Sequence, residues 1–244
     1  GALNGAMDNS ALGYFALASV TSGDNNVAVG AYAGDAINTG SSNSAFGKGA
    51  LTTNTNGIRN TAIGETSMQD NDSGGYNVAV GRESLFRNVT GSYNTAVGHS
   101  ALNGVNANSH SENTAVGYYA LGRVSTGVRN IGIGVQAGED VSSGGYNVIL
   151  GFQSGLNLTT GSENIIIGQS AGNNTLDVDK AILIGSGAGT QNMTSTADGS
   201  IGIGYVALQS LTSGAGNTAI GYQASMSVTT GAGNTSLGYR ALAS

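Results

Sequence analysis

The sequence contains no cysteine, no proline and no tryptophan, and only 9% of its residues are charged. Without cysteine there is neither a disulfide framework nor a thiolate metal site. Eight Lys and Arg against fourteen Asp and Glu give a net charge of −6, which leaves no basic patch to hold a nucleic-acid backbone. No apolar run approaches the roughly 18 residues of a membrane-spanning helix. So few charges also argue against a disordered chain, which combines low hydrophobicity with high net charge. What the sequence has in excess is glycine, 42 of 244 residues, without the Gly-X-Y period of collagen.

The glycines fall on a ratchet. The block Asn-x-Ala-Val-Gly closes at Gly13, Gly30, Gly47, Gly64, Gly81, Gly98, Gly117, Gly134, Gly151, Gly168, Gly185, Gly204, Gly221 and Gly238. That is fourteen copies spaced by 17 residues, with a spacing of 19 at 98→117 and 185→204. The pattern fills residues 1–244 as a single repeat domain, and both ends fall inside it, which predicts a segment of a longer fibre protein. Counting from the Asn, position 4 is always a large apolar residue, position 8 is Ala or Ser, and position 15 is usually Gly. The elements are short and β-branched with no sustained helical period. Each unit has room for about two strands and two turns, and cannot bury its apolar side alone. Stacking copies about 4.8 Å apart can. The expected fold is all-β, a left-handed parallel β-roll or β-solenoid of about fourteen 17-residue coils.

The columns of such a stack carry distinct chemistry. Gly at positions 5 and 15 supplies either a corner with φ > 0 or a backbone approach that a Cβ would block. Position 1 is Asn at Asn26, Asn43, Asn60, Asn77, Asn94, Asn113, Asn130, Asn147, Asn164, Asn217 and Asn234. Ser or Asp would serve an ordinary turn equally well, so the preference for Asn points to a structural ladder of stacked amides. Position 3 alternates with position 4. With position 4 assigned to the core, position 3 faces outward as a small, apolar strip. Ala28, Ala45, Ala62, Ala79, Ala96, Ala115, Ile149, Ile166, Leu183 and Ala219 are therefore the candidate inter-chain interface.

Resemblances to catalytic motifs dissolve into the repeat. Gly132-x-Gly134-x-x-Ala137 imitates a dinucleotide fingerprint, but that motif needs a helix after it and the 17-residue unit supplies none. Gly168-Gln-Ser170-Ala-Gly172 imitates a nucleophile elbow, yet both histidines, His99 and His110, precede the serine rather than follow it. Asp70-Asn-Asp72 begins like a calcium loop, whose closing ligand falls on Gly81. The expectation is a non-enzymatic chain with no cofactor, metal or nucleic-acid partner and no membrane insertion. The irregular coils, with insertions around 105–112 and 191–199, nominate Val105, His110, Asp177, Asp179 and Met193 as candidate binding-loop residues.

The units around Asn94, Asn113, Asn217 and Asn234, reading N-T-A-V-G-Y-x-A-L-x-x-x-T-T-G-x-x, closely resemble the 17-residue repeats of phage tail-fibre-like proteins. In that family the repeats often precede a self-cleaving chaperone domain. More distantly, the V-A-V-G and T-A-I-G blocks look like the heads of trimeric autotransporter adhesins. The resemblance implies an elongated extracellular homotrimer of side-by-side β-rolls, on a virion or a cell surface. Two further readings stand beside it. One is a module binding glycans or a host surface, for which exposed tyrosines at position 6 (Tyr14, Tyr118, Tyr205, Tyr222, Tyr239) are suited. The other is an ice-binding solenoid, for which the position 2 array of Thr, Val and Ile is irregular.

Overall fold

A computed structural model describes residues 5–105 and 109–243. The chain forms two units, residues 1–119 with 123–126, and residues 120–122 with 127–244. The first unit contains β1 (Ser10–Leu12), β2 (Val27–Val29), β3 (Ser44–Phe46), β4 (Thr61–Ile63), β5 (Val78–Val80), β6 (Thr95–Val97) and β7 (Thr114–Val116). The second contains β8 (Ile131–Ile133), β9 (Val148–Leu150), β10 (Ile165–Ile167), β11 (Ile182–Ile184), β12 (Ile201–Ile203), β13 (Thr218–Ile220) and β14 (Thr235–Leu237), with one 3-10 turn at Ser195–Ala197. Within each unit successive strands pair in parallel and in register, so that Thr61 lies beside Val78 and Ile165 beside Ile182. The fold is a parallel β-solenoid, each strand stacked on its copy one repeat later.

Each coil has one strand of three residues rather than the expected two strands. The opposite side bends continuously, because residues at positions 7 and 9 take left-handed backbone: Glu83 at φ 57 and Leu85 at φ 50 in one coil, Val206 at 49 and Leu208 at 52 in another. Most of these residues are not glycine, so each carries a conformational cost that the stack must offset. The offset is visible as ladder hydrogen bonds that continue around the bend. The Glu83 amide donates to the Glu65 carbonyl of the coil before (3.1 Å), and the Leu85 amide donates to the Ala101 carbonyl of the coil after (2.9 Å).

The two glycine columns have different reasons. At position 5, Gly64 combines φ +132 with a backbone approach so close that a Cβ would lie 2.5 Å from the Gly81 carbonyl oxygen. At position 15, Gly40 lies outside the positive-φ region, and a Cβ there would lie 2.4 Å from the Gly57 oxygen. Along most of the second column a Cβ would strike the next coil's backbone, and at Gly57 it would also strike the Asn54 side chain (2.1 Å).

The core corrects the assignment of positions 3 and 4. Ala28, Ala45, Ala62, Ala79, Ala96, Ala115, Ile149, Ile166, Leu183 and Ala219 all point inward and are buried, so they are not an outward inter-chain strip. Period-two alternation only requires that positions 3 and 4 face opposite ways; it leaves open which one is inside. The interior decides it, because it is narrow. The strand's Ala is matched across the coil by a large residue at position 9, buried at Leu51, Met68, Leu85, Leu102, Leu121 and Leu208. Where position 3 becomes Ile149, Ile166 or Leu183, position 9 becomes Gly155, Gly172 or Gly189. A Cβ on Gly172 would sit 3.1 Å from Ile166, and one on Gly189 would sit 2.8 Å from Leu183. In these coils position 3 supplies the volume that position 9 gives up; beside Gly34 and Gly138, where position 3 is Ala28 and Gly132, Ile37 with Leu17 and Ile149 with Leu121 fill the space instead, as close-packed interiors require.

Candidate functional site: the outward strand face

Position 1 builds the frame that holds the strands. The Asn43 amide nitrogen Nδ2 donates to the Gly57 carbonyl of its own coil (2.8 Å), while its Oδ1 accepts the Asn60 backbone N–H of the next coil (2.9 Å). Asn77 and Asn147 repeat this with Gly91 and Gly161, and with the backbone N–H groups of Asn94 and Asn164. Side-chain amides also bond directly up the column, as from Asn94 Nδ2 to Asn77 Oδ1 at 3.0 Å. The job needs a donor and an acceptor on one short planar group, which Asp and Ser do not offer. Where Ser200 stands in for Asn, its hydroxyl reaches the Asn217 N–H only at 3.4 Å.

Sequence reasoning missed a second buried amide column. Position 12 is Asn54, Asn71 and Asn88 in three successive coils, all buried. Asn71 Nδ2 donates to Asn54 Oδ1 (2.9 Å), and Asn88 Nδ2 to the Gly91 carbonyl (2.8 Å). The signal was present in the sequence as three Asn residues exactly 17 apart, a column that any register count would isolate.

The nominated loop residues are mostly not at the surface. His110 and Met193 are fully buried, and Val105 is half-buried; residues 106–108 of that insertion lie outside the described residues. His110 takes the corner place of a position 15 glycine, its carbonyl accepting from Asn94 Nδ2 and its N–H donating to Asn88 Oδ1. Its ring nitrogens have no hydrogen-bond partner, and burial lowers its pKa to about 4. Asp177 and Asp179 are half-buried and serve the backbone, accepting the N–H groups of Ser195 (3.0 Å) and Ser162 (2.7 Å). Among the described residues no three His, Cys, Asp or Glu side chains gather where a metal could bind.

With position 3 inside, positions 2 and 4 form the outward face of every strand. In the second unit this face reads Ile131 and Ile133, Val148 and Leu150, Ile165 and Ile167, Ile182 and Ile184, Ile201 and Ile203 on β8 to β12. Ile133 is 43% exposed and Ile165 37%. The first unit carries Thr or Ser more often at position 2, with Phe46, Ile63, Val97 and Val116 exposed at position 4. Isolated surface apolar residues are ordinary; ranks of them in register on consecutive strands are not.

Aromatic and charged columns flank this face. Tyr205 stacks on Tyr222 and Tyr222 on Tyr239, with ring centroids 5.1 and 5.2 Å apart and planes within 18°. Tyr76 and Tyr93 repeat the arrangement at position 17. The rings cover one another's faces, so their free surface is mainly edge and hydroxyl. Further along position 6, Glu65 sits between Lys48 (3.9 Å) and Arg82 (3.6 Å), an exposed ladder of alternating sign that contributes little stability.

Compared with models of known protein families, with curated proteins and with solved structures, the chain matches none.

Proposed function

We propose that this chain is a non-catalytic structural segment of an extracellular fibre or adhesin, a shaft or head that associates side by side with two further copies of itself. The observation that carries the reading is the outward strand face: position 4 is apolar on every strand, position 2 is apolar on β2, β5 and β8 to β12, and neither position carries a charge. A face of that composition is stable in water when another surface covers it. A second copy is the occupant that fits best, because a repeating face of fixed pitch is complementary to the same pitch on a parallel neighbour. The regularity also suits a spacer, and the resemblance of the units to tail-fibre repeats supports a homotrimer on a virion or cell surface.

The test is the native mass of the chain in dilute solution by light scattering. Three times 24.0 kDa is the expected result. A stable monomer at micromolar concentration overturns the self-association on which the reading rests.

A further inference from the structure

On a different side of the coil from the strand face, the second unit carries an open groove of about 430 Å³. Its wall is the position 11 column of four successive coils: Asp140, Asn157, Asn174 and Gln191. Asn192 adds to the lining, and Thr159 and Leu176, both at position 13, form the adjoining strip. The groove falls on the irregular coils. The coil at Asn164 has Val178 where a corner glycine belongs, and the next begins its two-residue insertion beside Gln191. Met193, turned into the core, leaves its neighbours Gln191 and Asn192 projecting into solvent.

We propose that this groove binds an extended, neutral saccharide lying along the coil stack. The donor set selects that class. Among the lining residues there is no Lys or Arg to hold an anion. One carboxylate is too few for a hard cation. No aromatic ring lines the groove, and Leu176 is the lone large apolar group. What remains is a rank of amides, each offering donor and acceptor side by side and so matching vicinal hydroxyls, while the Thr159 hydroxyl, which donates to the Leu176 carbonyl (2.9 Å), offers an acceptor. Some of this capacity is already fixed: Asn157 Nδ2 donates to Asn174 Oδ1 (3.0 Å), and Asn174 Nδ2 donates to the Thr190 carbonyl (3.0 Å). Those bonds hold the amide planes in place, and each amide nitrogen keeps a second N–H to donate. Pre-oriented groups of this kind lose little freedom on binding. Four positions at about 4.8 Å per coil give a rank about 14 Å long, enough to contact several sugar units in succession. The Leu176 side chain supplies an apolar patch against which a sugar's C–H face can rest.

The proposal does not depend on the fibre reading, and its test separates the two. The full chain is applied to an array of oligosaccharides, neutral hexoses and N-acetylhexosamines beside sialylated and sulfated glycans, and the best ligand is then titrated by calorimetry. The expected result is a neutral oligosaccharide whose affinity falls about tenfold in Asn174→Ala/Gln191→Ala, the loss of about two hydrogen bonds. Asn56→Ala, on an exposed turn of the first unit, leaves it unchanged. Gln191→Ala alone removes an exposed side chain, so a folded variant is available if the double variant is damaged. A native mass equal to wild type in these variants shows that assembly is untouched. Absence of binding to every neutral glycan, preference for charged glycans, or binding that survives both substitutions overturns the proposal.

Discussion

The Ser225 hydroxyl meets the Ser236 hydroxyl at 2.8 Å inside the last two coils, and both residues are buried. Ser225 holds position 9 and Ser236 position 3, the two columns that elsewhere pair Leu with Ala. The exchange between them is therefore one of polarity as well as volume: when one column becomes polar, the other supplies its hydrogen bond. Ser236→Ala leaves the Ser225 hydroxyl unpartnered and is expected to cost about 1 kcal/mol. The double variant Ser225→Leu/Ser236→Ala restores the arrangement of Leu85 between Ala79 and Ala96, and is expected to be more stable than wild type by about 1–2 kcal/mol. Ser225 already has the left-handed backbone, φ 47, that Leu85 adopts at φ 50. Amide hydrogen exchange of β13 and β14 measures both changes locally, which suits a stack whose coils need not unfold together.

The position 5 glycines should be far more sensitive to substitution than glycines at open turns. Gly64→Ala puts a Cβ against the next coil's backbone at a φ of +132, and is expected to destabilise by about 3 kcal/mol or more. Gly216 also has positive φ, +69, but a Cβ there meets nothing within 4 Å. Gly216→Ala should cost only the backbone strain, about 1 kcal/mol. Thermal unfolding of the two variants side by side checks the difference.

Much of this was legible from the spacing alone. A period of 17 with Gly and Asn fixed in phase requires that like residues stack, and the parallel in-register strands follow. Which side of the strand faces in was not legible from one column, since Ala at position 3 and Val at position 4 fit either a small interior or a small exterior. It becomes legible only when columns are compared: Ile149, Ile166 and Leu183 coincide with Gly155, Gly172 and Gly189, and residues that trade volume must touch. The bend at positions 7 and 9 was invisible for a different reason. Its left-handed residues are more often Leu, Tyr, Gln or Glu than Gly, so local preference gives little sign of a conformation imposed by the neighbouring coils.

The position 1 amides should be far less replaceable than their turn-like composition suggests. Asn147 Oδ1 accepts from the Asn164 backbone and side chain, and its Nδ2 donates to Gly161 and Asn130. Asn147→Ala strands several buried groups and is expected to cost about 2–4 kcal/mol. Asn147→Asp keeps the acceptors but loses the donors, and sets a charge against the Gly161 and Asn130 oxygens. It should be worse than Ala at neutral pH and recover part of the loss in acid, as the buried carboxyl takes up a proton. Denaturant melts of the two variants at pH 7 and pH 4 distinguish these outcomes.

His110 makes the first unit sensitive to acid. Its ring is buried with no partner for either nitrogen, and burial lowers its pKa from 6.5 to about 4. A group that must stay neutral in the folded state contributes no penalty above its unfolded pKa. As pH falls from about 6.5 toward 4 the unfolded chain binds a proton that the folded chain refuses, and stability is lost by up to about 3 kcal/mol before levelling off. His110→Leu removes the titration and the unpaired nitrogens together. It should flatten the difference between pH 7 and pH 4 relative to wild type, and be no less stable at pH 7. The other acidic groups titrate in both proteins, so the wild-type minus variant difference isolates this ring.

Ile165 and Ile166 are adjacent on β10, yet they face opposite environments, and charging each in turn separates folding from assembly. Ile166 is buried and packed near Gly155 and Gly172. Ile166→Lys must either bury an ammonium without a partner or open the coil, so a loss above about 4 kcal/mol is expected. Ile165 is on the outward face, 37% exposed. Ile165→Lys should leave the circular dichroism and the thermal transition of a dilute sample close to those of an unassembled chain. Its effect belongs to association, where a charge on every copy meets like charge and loses hydration. The native mass of Ile165→Lys should therefore fall toward 24.0 kDa while the coil stays folded. If Ile165→Lys keeps the wild-type mass, the strand face is not where the chains meet, and the flanking aromatic columns at positions 6 and 17 become the next surface to charge.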